Sequence, residues 1–428
     1  MLPRVAEQLH IESSSREGWL TGLSEQLLAH AKQEQIEFAV CFPTLDVDIL
    51  EHRRINTTFD NETTFMAFPF REDVHKAEIY DKSLEDRFRQ IFDEFQPDVI
   101  HLFGTEFPHT LAATLVAPNP ERVMIGIQGL CFVYARAYPA DIPLKVWNRT
   151  TFRDFIKRDN LRKQRTKFLE RGKNEIEAIR NVGHVTGRTI WDQCYMQEWN
   201  EKAKYHFMNE TLRPTFYDGA WSAENCQKGC IFVSQGDYPI KGLHYLLKAM
   251  PRILKHHPEA EVYVAGNSIV KTALEHGLDG LKGKLKLDSY GKYIVELLKE
   301  NNLVEKVHFV GNQDAEGMKR YYLKANVFVC PSAMENSPNS LGEAMLLGIP
   351  IVASKVGGIP TMLKDCVEGF LYECNDVDAL ALYVSVILDG GEKVSQMCAN
   401  ARLHARETHD GKKNFARLIQ IYREINKE

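Results

Sequence analysis

Two glutamates, Glu335 and Glu343, stand on either side of what reads as the start of a helix. Val327 to Cys330 is a short apolar run rich in β-branched and aromatic residues. Ser337 suits an N-cap, Pro338 the first helical position, and Gly348 the position just past the last helical leucine. Residues 326–360 therefore predict strand, loop and helix, then a second strand over 350–354 and a turn at Gly357-Gly358, with a right-handed crossover. Glu335 falls in the loop facing the helix N-terminus, and Glu343 lies about 7 Å further along the helix axis. Free amides and the positive dipole end between them suit a phosphate or diphosphate. Carboxylates would repel that group, so the two acids are better matched to sugar hydroxyls on either side of it. A nucleotide-sugar has that layout: hexose, diphosphate, ribose.

A cation is supplied from elsewhere in the chain. Residues 230–234 read as a strand, GDYPIKG as a loop and 243–255 as a helix, so Lys241 stands at a helix N-terminus beside Gly242. An ammonium next to free amides can hold a pyrophosphate. Strands over 261–265, ending at Gly266, and over 307–310, ending at Gly311, continue the same alternation. An amphipathic helix is predicted over 414–426.

Glu335-x7-Glu343, with Pro331-Ser332 before it and Gly348-x-Pro350 and Gly357-Gly358 after it, resembles the donor-site signature of family 4 retaining glycosyltransferases. That resemblance implies an α/β protein of the GT-B fold, two Rossmann-like doubly wound domains facing a central cleft. It implies catalytic roles for Glu335 and Lys241, with Glu343 on the ribose. Donor contacts would come from Gly236, Gly242, Asn336, Ser337, Asn339 and Ser340, and the nucleobase would sit against Gly311, Asn312 and Gln313. The donor is a nucleotide diphosphate sugar, UDP being favoured over GDP, and no cofactor is called for. The acceptor is a glycan or polyprenol-linked glycan in surface polysaccharide synthesis. Two positions depart from the pattern: Gly236 replaces an arginine, and Gln128 stands where a histidine is common. Glutamine hydrogen-bonds a hydroxyl but cannot act as a base.

The first half of the chain alternates strands (38–43, 64–68, 98–103, 123–128) with helices (20–31, 84–95), which predicts a doubly wound parallel sheet. Ligands lie outside the carboxyl ends of such strands, which places Glu106, His109, Gln128 and Gly129 in one crevice. The Gly18 amide, at a helix N-terminus, is a further cleft candidate. Nothing over residues 1–15 looks like the family's first strand, and upstream residues are expected to be missing. His101, mid-strand, reads as a core histidine. Domains are expected over 1–218 and 229–405, joined by a polar linker over 218–228, with 406–428 a helix returning to the first.

A length of 428 residues suits two domains, and a net charge of -5 argues against general nucleic-acid binding. No apolar run is long enough to span a membrane and no signal-peptide core is evident, so a cytoplasmic protein is expected. The nine cysteines are scattered, as in a reducing compartment, and Cys226-x3-Cys230 lacks the partners of a zinc site. Asp46-Val47-Asp48 and Asp376-Val377-Asp378 do not adjoin the diphosphate unit, so they read as turn residues and transfer as metal-independent. Residues 149–173 hold ten Lys/Arg against three Asp/Glu, interleaved with aromatics. That suits either a solvated helix or peripheral contact with an anionic membrane face. Two rival functions are a nucleotide-sugar epimerase, against which Gln128 counts, and a non-catalytic binding relative.

Overall fold

The structure is a computed structural model describing residues 3–11, 18–59, 63–267, 270–275 and 277–427. Packing groups residues 1–132, 167–213 and 408–428 into one unit and 133–166 and 214–407 into another. Each is α/β.

Among the described residues the first unit has seven strands: β1 (Ala39–Thr44), β2 (Ile55–Phe59), β3 (Thr63–Arg71), β4 (Ile100–Phe103), β5 (Val123–Gly126), β6 (His184–Gly187) and β7 (Lys204–Phe207). They form two sheets rather than the single sheet expected, in orders β1-β3-β2 and β4-β5-β6-β7. Only the β2-β3 hairpin is antiparallel, and its first strand was not foreseen, since INTTF has no apolar run. Where residues ahead of β1 are described, they form the helices Pro3–Gln8 and Gly18–Glu34, so none of them bridges the two sheets. What joins the sheets is a shared helical layer. Ser83–Phe95 and Pro108–Val116 lay Leu84, Phe88, Ile91, Phe92, Ala112 and Ala113 over Phe68 and Phe70 of β3 and against Ile100 and Leu102 of β4. On β5 the cover is the last helix, Gly411–Lys427, whose Leu418, Ile421 and Ile425 meet Met124. β5 and β6 are buried throughout, which explains the apolar run of β5 without alternation, whereas β6 (HVTG) has no such run and was not foreseen.

The second unit holds one parallel sheet built from β8 (Cys230–Val233), β9 (Glu261–Ala265), β10 (Val307–Gly311), β11 (Val327–Cys330), β12 (Ile351–Ser354) and β13 (Phe370–Tyr372). Its order is β10-β9-β8-β11-β12-β13. From β8 the chain winds outward through β9 to β10, then returns to β11 and winds the other way. The β8/β11 boundary is thus the topological switch point, the position at which open α/β sheets bind ligands.

Residues 133–166, expected in the first domain, pack with the second unit instead. Asp154 is buried there and accepts a 2.7 Å hydrogen bond from Ser289, Arg149 pairs with Glu296 at 2.8 Å, and His244 Nε2–H donates to the Ala140 carbonyl at 2.8 Å. These anchors lie over a hundred positions away, where no local pattern reports them. The basic stretch also breaks in two. Phe152–Lys157 ends at Arg158, whose φ of 51° is left-handed, and Leu161–Arg180 begins afresh. The lysine-rich stretch Gly277–Lys286 is a helix.

His244 is fixed as a neutral tautomer, because with Nε2 donating to Ala140, Nδ1 accepts from the Tyr290 hydroxyl at 3.1 Å. Burial, reinforced by the Lys248 ammonium, pushes its pKa down to about 3. The unfolded chain takes up this proton near pH 6.5 while the folded one does not, so stability is present above that pH and declines below it. Unfolding in urea at pH 7.5 and 5.5 is expected to show that decline, with His244 contributing about 1 kcal/mol of it. In His244→Gln the difference between the two pH values should shrink by that amount.

Candidate functional site

The loops that leave β8 and β11 start side by side, and their closest approach is backbone against backbone. Gly242 has φ 68°, and a Cβ there would lie 1.8 Å from the Pro331 carbonyl oxygen. A glycine is therefore required on both counts. The Ala333 amide donates to the Ile240 carbonyl at 2.6 Å and ties the two loops together. Lys241 is carried between these contacts, and its Nζ reaches Glu335 Oε1 at 2.7 Å.

Glu335 is held from several directions. The Ser332 hydroxyl donates to the same Oε1 at 2.8 Å, and Ser332 is itself fixed by Ser354, at the end of β12, whose hydroxyl donates to the Ser332 carbonyl. The Gly358 amide donates to the Glu335 carbonyl at 3.1 Å. Gly357 comes so close that a Cβ would sit 1.9 Å from that oxygen. The proline-serine pair and the glycine pair that frame the glutamate in sequence thus fix its position in space. Burial pushes the Lys241 ammonium toward neutrality, but the Glu335 carboxylate outweighs it and holds the lysine pKa well above its usual value.

The helix after Glu335 starts later than expected. It runs Asn339–Leu347 with Pro338 as its N-cap, and no side chain caps it, so Ser337 is not the cap. The reason is that Pro338 itself is extended, with ψ 120°, and its carbonyl accepts the first helical amide, that of Leu341 at 3.0 Å. Asn336 and Ser337 are buried, and the Asn336 amide donates to the Tyr134 hydroxyl at 3.3 Å. Asn339 and Ser340 form the half-buried first turn, and Glu343 is buried within the helix. Gly236 is packing-determined, since a Cβ would meet Leu243 and Val264 within 3 Å. Gly311 closes β10 in a left-handed conformation with open space around it, followed by Asn312 and by Gln313, whose side chain donates to the Val310 carbonyl at 2.8 Å.

Three neighbours of Lys241 were not foreseen. Tyr238 places its ring centroid 5.8 Å from Nζ, and Tyr134 comes from the segment 133–166. Asp237, its carboxyl raised by burial, accepts from the Asn267 amide at 3.0 Å, close against Gly266. Asp237 and Tyr238 sit in the GDYPIKG loop, where their position next to Lys241 was the available signal. Tyr134 had none. The two aspartate triplets prove to be capping residues: Asp46 accepts the amides of Asp48 and Ile49, and Asp376 that of Ala379.

In the first unit a pocket opens at the carboxyl ends of β4 to β7. Gln128 lines it and donates to Glu210 Oε1, while Glu210 Oε2 lies 3.1 Å from Nη1 of the buried Arg188. His101 also lines it, with Nδ1 2.8 Å from the Tyr422 hydroxyl and its pKa lowered by burial to about 3, so it is neutral and only weakly basic. Glu106, His109 and Gly129, expected in one crevice with Gln128, are not among the lining residues. The Glu106 carboxyl, raised by burial, turns to backbone amides including that of Gly129. His109 is bound to Glu72 through both its ring, at 2.6 Å, and its amide. Gly18 opens the helix Gly18–Glu34.

Residues 222–404 match the family model of glycosyl transferases group 1. The match contains Lys241, Glu335, Glu343 and the whole β8–β13 sheet. Among curated proteins, the chain is 27% identical over 197 residues to an uncharacterized glycosyltransferase of Methanocaldococcus jannaschii, 46% of this chain and 45% of that protein. It is 30% identical over 128 residues to the amylovoran biosynthesis glycosyltransferase AmsK of Erwinia amylovora, 28% of this chain and 31% of that protein. The chain thus spans less than half the length of these relatives. Among solved structures it resembles sucrose-phosphate synthase from Thermosynechococcus elongatus, with a TM-score of 0.68 at 17% identity over 95% of this chain and 93% of that one. It also resembles Anabaena HepE in complex with UDP and glucose, with a TM-score of 0.61 at 13% identity over 96% and 97%. These likenesses establish the GT-B class of fold.

Within the region that matches the family model, the lysine-glutamate contact is testable as a unit. Removing one member of a buried ion pair strands the other, at a cost of about 3 kcal/mol, whereas removing both costs much less. Urea unfolding of Lys241→Met, Glu335→Gln and the double variant should therefore show strong non-additivity, with the double variant more stable than the sum of the singles predicts. Gly242→Ala should be less stable than any of them, because φ and the Pro331 carbonyl both oppose a Cβ.

Proposed function

We propose that this protein is a retaining glycosyltransferase that moves a hexose from a nucleoside diphosphate sugar, with UDP favoured as carrier, to a hydroxyl of a glycan or polyprenol-linked glycan. The observation that carries this reading is the Lys241–Glu335 pair at the switch point of the six-stranded sheet. Open α/β sheets bind ligands at that position. The match to glycosyl transferases group 1 and the likeness to a fold solved with UDP and glucose support the choice of donor.

The bond that breaks joins the anomeric carbon to the diphosphate oxygen. Negative charge grows on that oxygen, and the Lys241 ammonium with the positive dipole end of the helix Asn339–Leu347 stabilises it. Glu335 orients the sugar and Glu343 the ribose. The acceptor oxygen bonds to the anomeric carbon on the face the diphosphate leaves, and its proton passes to the departing phosphate oxygen. No protein base is required, in keeping with glutamine at position 128 and a neutral His101. Acceptor hydroxyls are assigned to the first-unit pocket, where Gln128, Arg188 and Glu210 present polar groups. Surface polysaccharide synthesis on the cytoplasmic side fits nine free thiols and the absence, among the described residues, of a helix long and apolar enough to cross a membrane.

Metal independence and the role of Glu335 are tested together. Single-turnover transfer from a UDP-sugar should proceed at an unchanged rate in the presence of chelator. Glu335→Ala should lower transfer by about 100-fold or more while UDP affinity stays within a few-fold. Full loss with chelator would refute metal independence, and undiminished transfer by the variant would refute the assigned role.

A further inference from the structure

We propose that the helices Phe152–Lys157 and Gly277–Lys286, which pack against one another in the second unit, form a docking face for an anionic lipid bilayer. On the first helix Phe152, Phe155 and Ile156 are exposed by 61%, 73% and 60%, and on the second Leu278, Leu281 and Leu285 by 75%, 56% and 48%. Each set falls at helical spacing, i, i+3, i+4 on one and i, i+3, i+7 on the other, so each helix turns an apolar stripe outward rather than into the core. Six large apolar side chains on two adjoining helices form a patch of the kind that marks an interaction surface.

Charge identifies the occupant. Lys157, Arg158, Lys284 and Lys286 are exposed beside the stripes. Two acids of the same segments are turned inward or paired, Asp154 buried against Ser289 and Asp159 3.5 Å from Arg153, while Asp279 is exposed with its charge offset by Lys282 at 3.5 Å, so the exposed charge of the face is net positive. Lysine is depleted at the centre of protein–protein interfaces, but it flanks apolar stripes at lipid surfaces, where its stem lies along the acyl boundary and its ammonium meets phosphate. Cations of this kind add to binding only where the surface is anionic. The stretch 149–173 narrows accordingly to its first helix, because Leu161 in the next one is buried. Gly277–Lys286 contributes the other half of the face.

The test is co-sedimentation of the full chain with vesicles of phosphatidylcholine alone and of phosphatidylcholine with phosphatidylglycerol. Binding is expected to the anionic vesicles, to weaken at high salt, and to be slight on neutral ones. Phe155→Ser with Leu281→Ser, and separately Lys284→Glu with Lys286→Glu, should each weaken it about tenfold or more while circular dichroism and UDP binding stay unchanged. All four positions are exposed, and the lysine pair gives a readout should the apolar pair fold poorly. Absence of binding, equal binding to neutral vesicles, or binding unaffected by both pairs would overturn the proposal. So would vesicle-free self-association that the Phe155/Leu281 pair abolishes, since the face would then join copies of this chain.

Discussion

An ammonium and a carboxylate that are far apart in sequence are held 2.7 Å apart where the winding of a parallel sheet reverses, and the second unit is arranged around that contact. β8 and β11 are neighbours with their carboxyl ends on the same side, so the loops that follow them emerge together. Two loops in that position either diverge at once or press together at residues without side chains. Here they press together, and Gly242 against Pro331 and Gly357 against Glu335 are the places where the backbones touch. The sequence motif is thus largely a packing requirement: the serine, the glycines and the Gly-x-Pro turn fix the carboxylate, and the carboxylate fixes the charge state of the lysine. Burial alone would favour a neutral amine, and a neutral amine has little to offer a diphosphate. Pairing with Glu335 reverses that preference and keeps a positive charge in a half-enclosed crevice.

Much of this was legible because the relevant signals are short-range. β9 and β11 have the boundaries that their apolar runs suggested, and β8, β10 and β12 differ from theirs by a residue. Parallel strands buried on both faces announce themselves as such runs. The glutamate pair, the lysine and the glycines were likewise found from spacing, since a strand-loop-helix unit has few ways to present acids near a helix N-terminus. What failed locally failed for local reasons too. Ser337-Pro338 matches the N-cap statistics, but the proline's extended ψ moved the cap onto Pro338 and left the serine outside. The basic stretch looked like one amphipathic element until a left-handed arginine at 158 divided it.

Other features were beyond the reach of any pattern. Segment 133–166 follows first-unit strands in the chain, yet its polar groups, the Ala140 carbonyl and the Asp154 and Arg149 side chains, find their partners at 244, 289 and 296. A buried Asp154 in a run rich in arginine reads as an ordinary surface acid until Ser289 is seen opposite it. Tyr134 reaches the Asn336 amide by the same route, so a segment with no signature of its own contributes to the surroundings of Glu335. The split of the first-unit strands into two sheets is also non-local, since each strand is individually unremarkable and only the pairing reveals it.

The contrast between the two units follows from how their polar sites are assembled. In the second, Lys241 and Glu335 lie in two compact stretches, each with its own glycine-marked turn, so residue type and spacing carry the geometry. In the first, the pocket draws His101 from β4, Gln128 from the end of β5, Arg188 from beyond β6, Glu210 from beyond β7 and Asn414 from the last helix. With Leu23 and Gln26 from the helix Gly18–Glu34, six segments meet there, and no spacing rule connects them. A pattern that depends on recurring spacing can describe the first kind of site and not the second, and the family match accordingly spans 222–404 and stops short of that pocket. On the proposed function, the residues that would touch the diphosphate are constrained by one chemistry, whereas those that would meet an acceptor answer to whatever hydroxyl array is presented. The Gln128–Glu210–Arg188 chain is therefore where the individual specificity of this protein is to be sought, because a buried acid clamped between an amide and a guanidinium discriminates by leaving polar groups unpaired when the wrong partner enters.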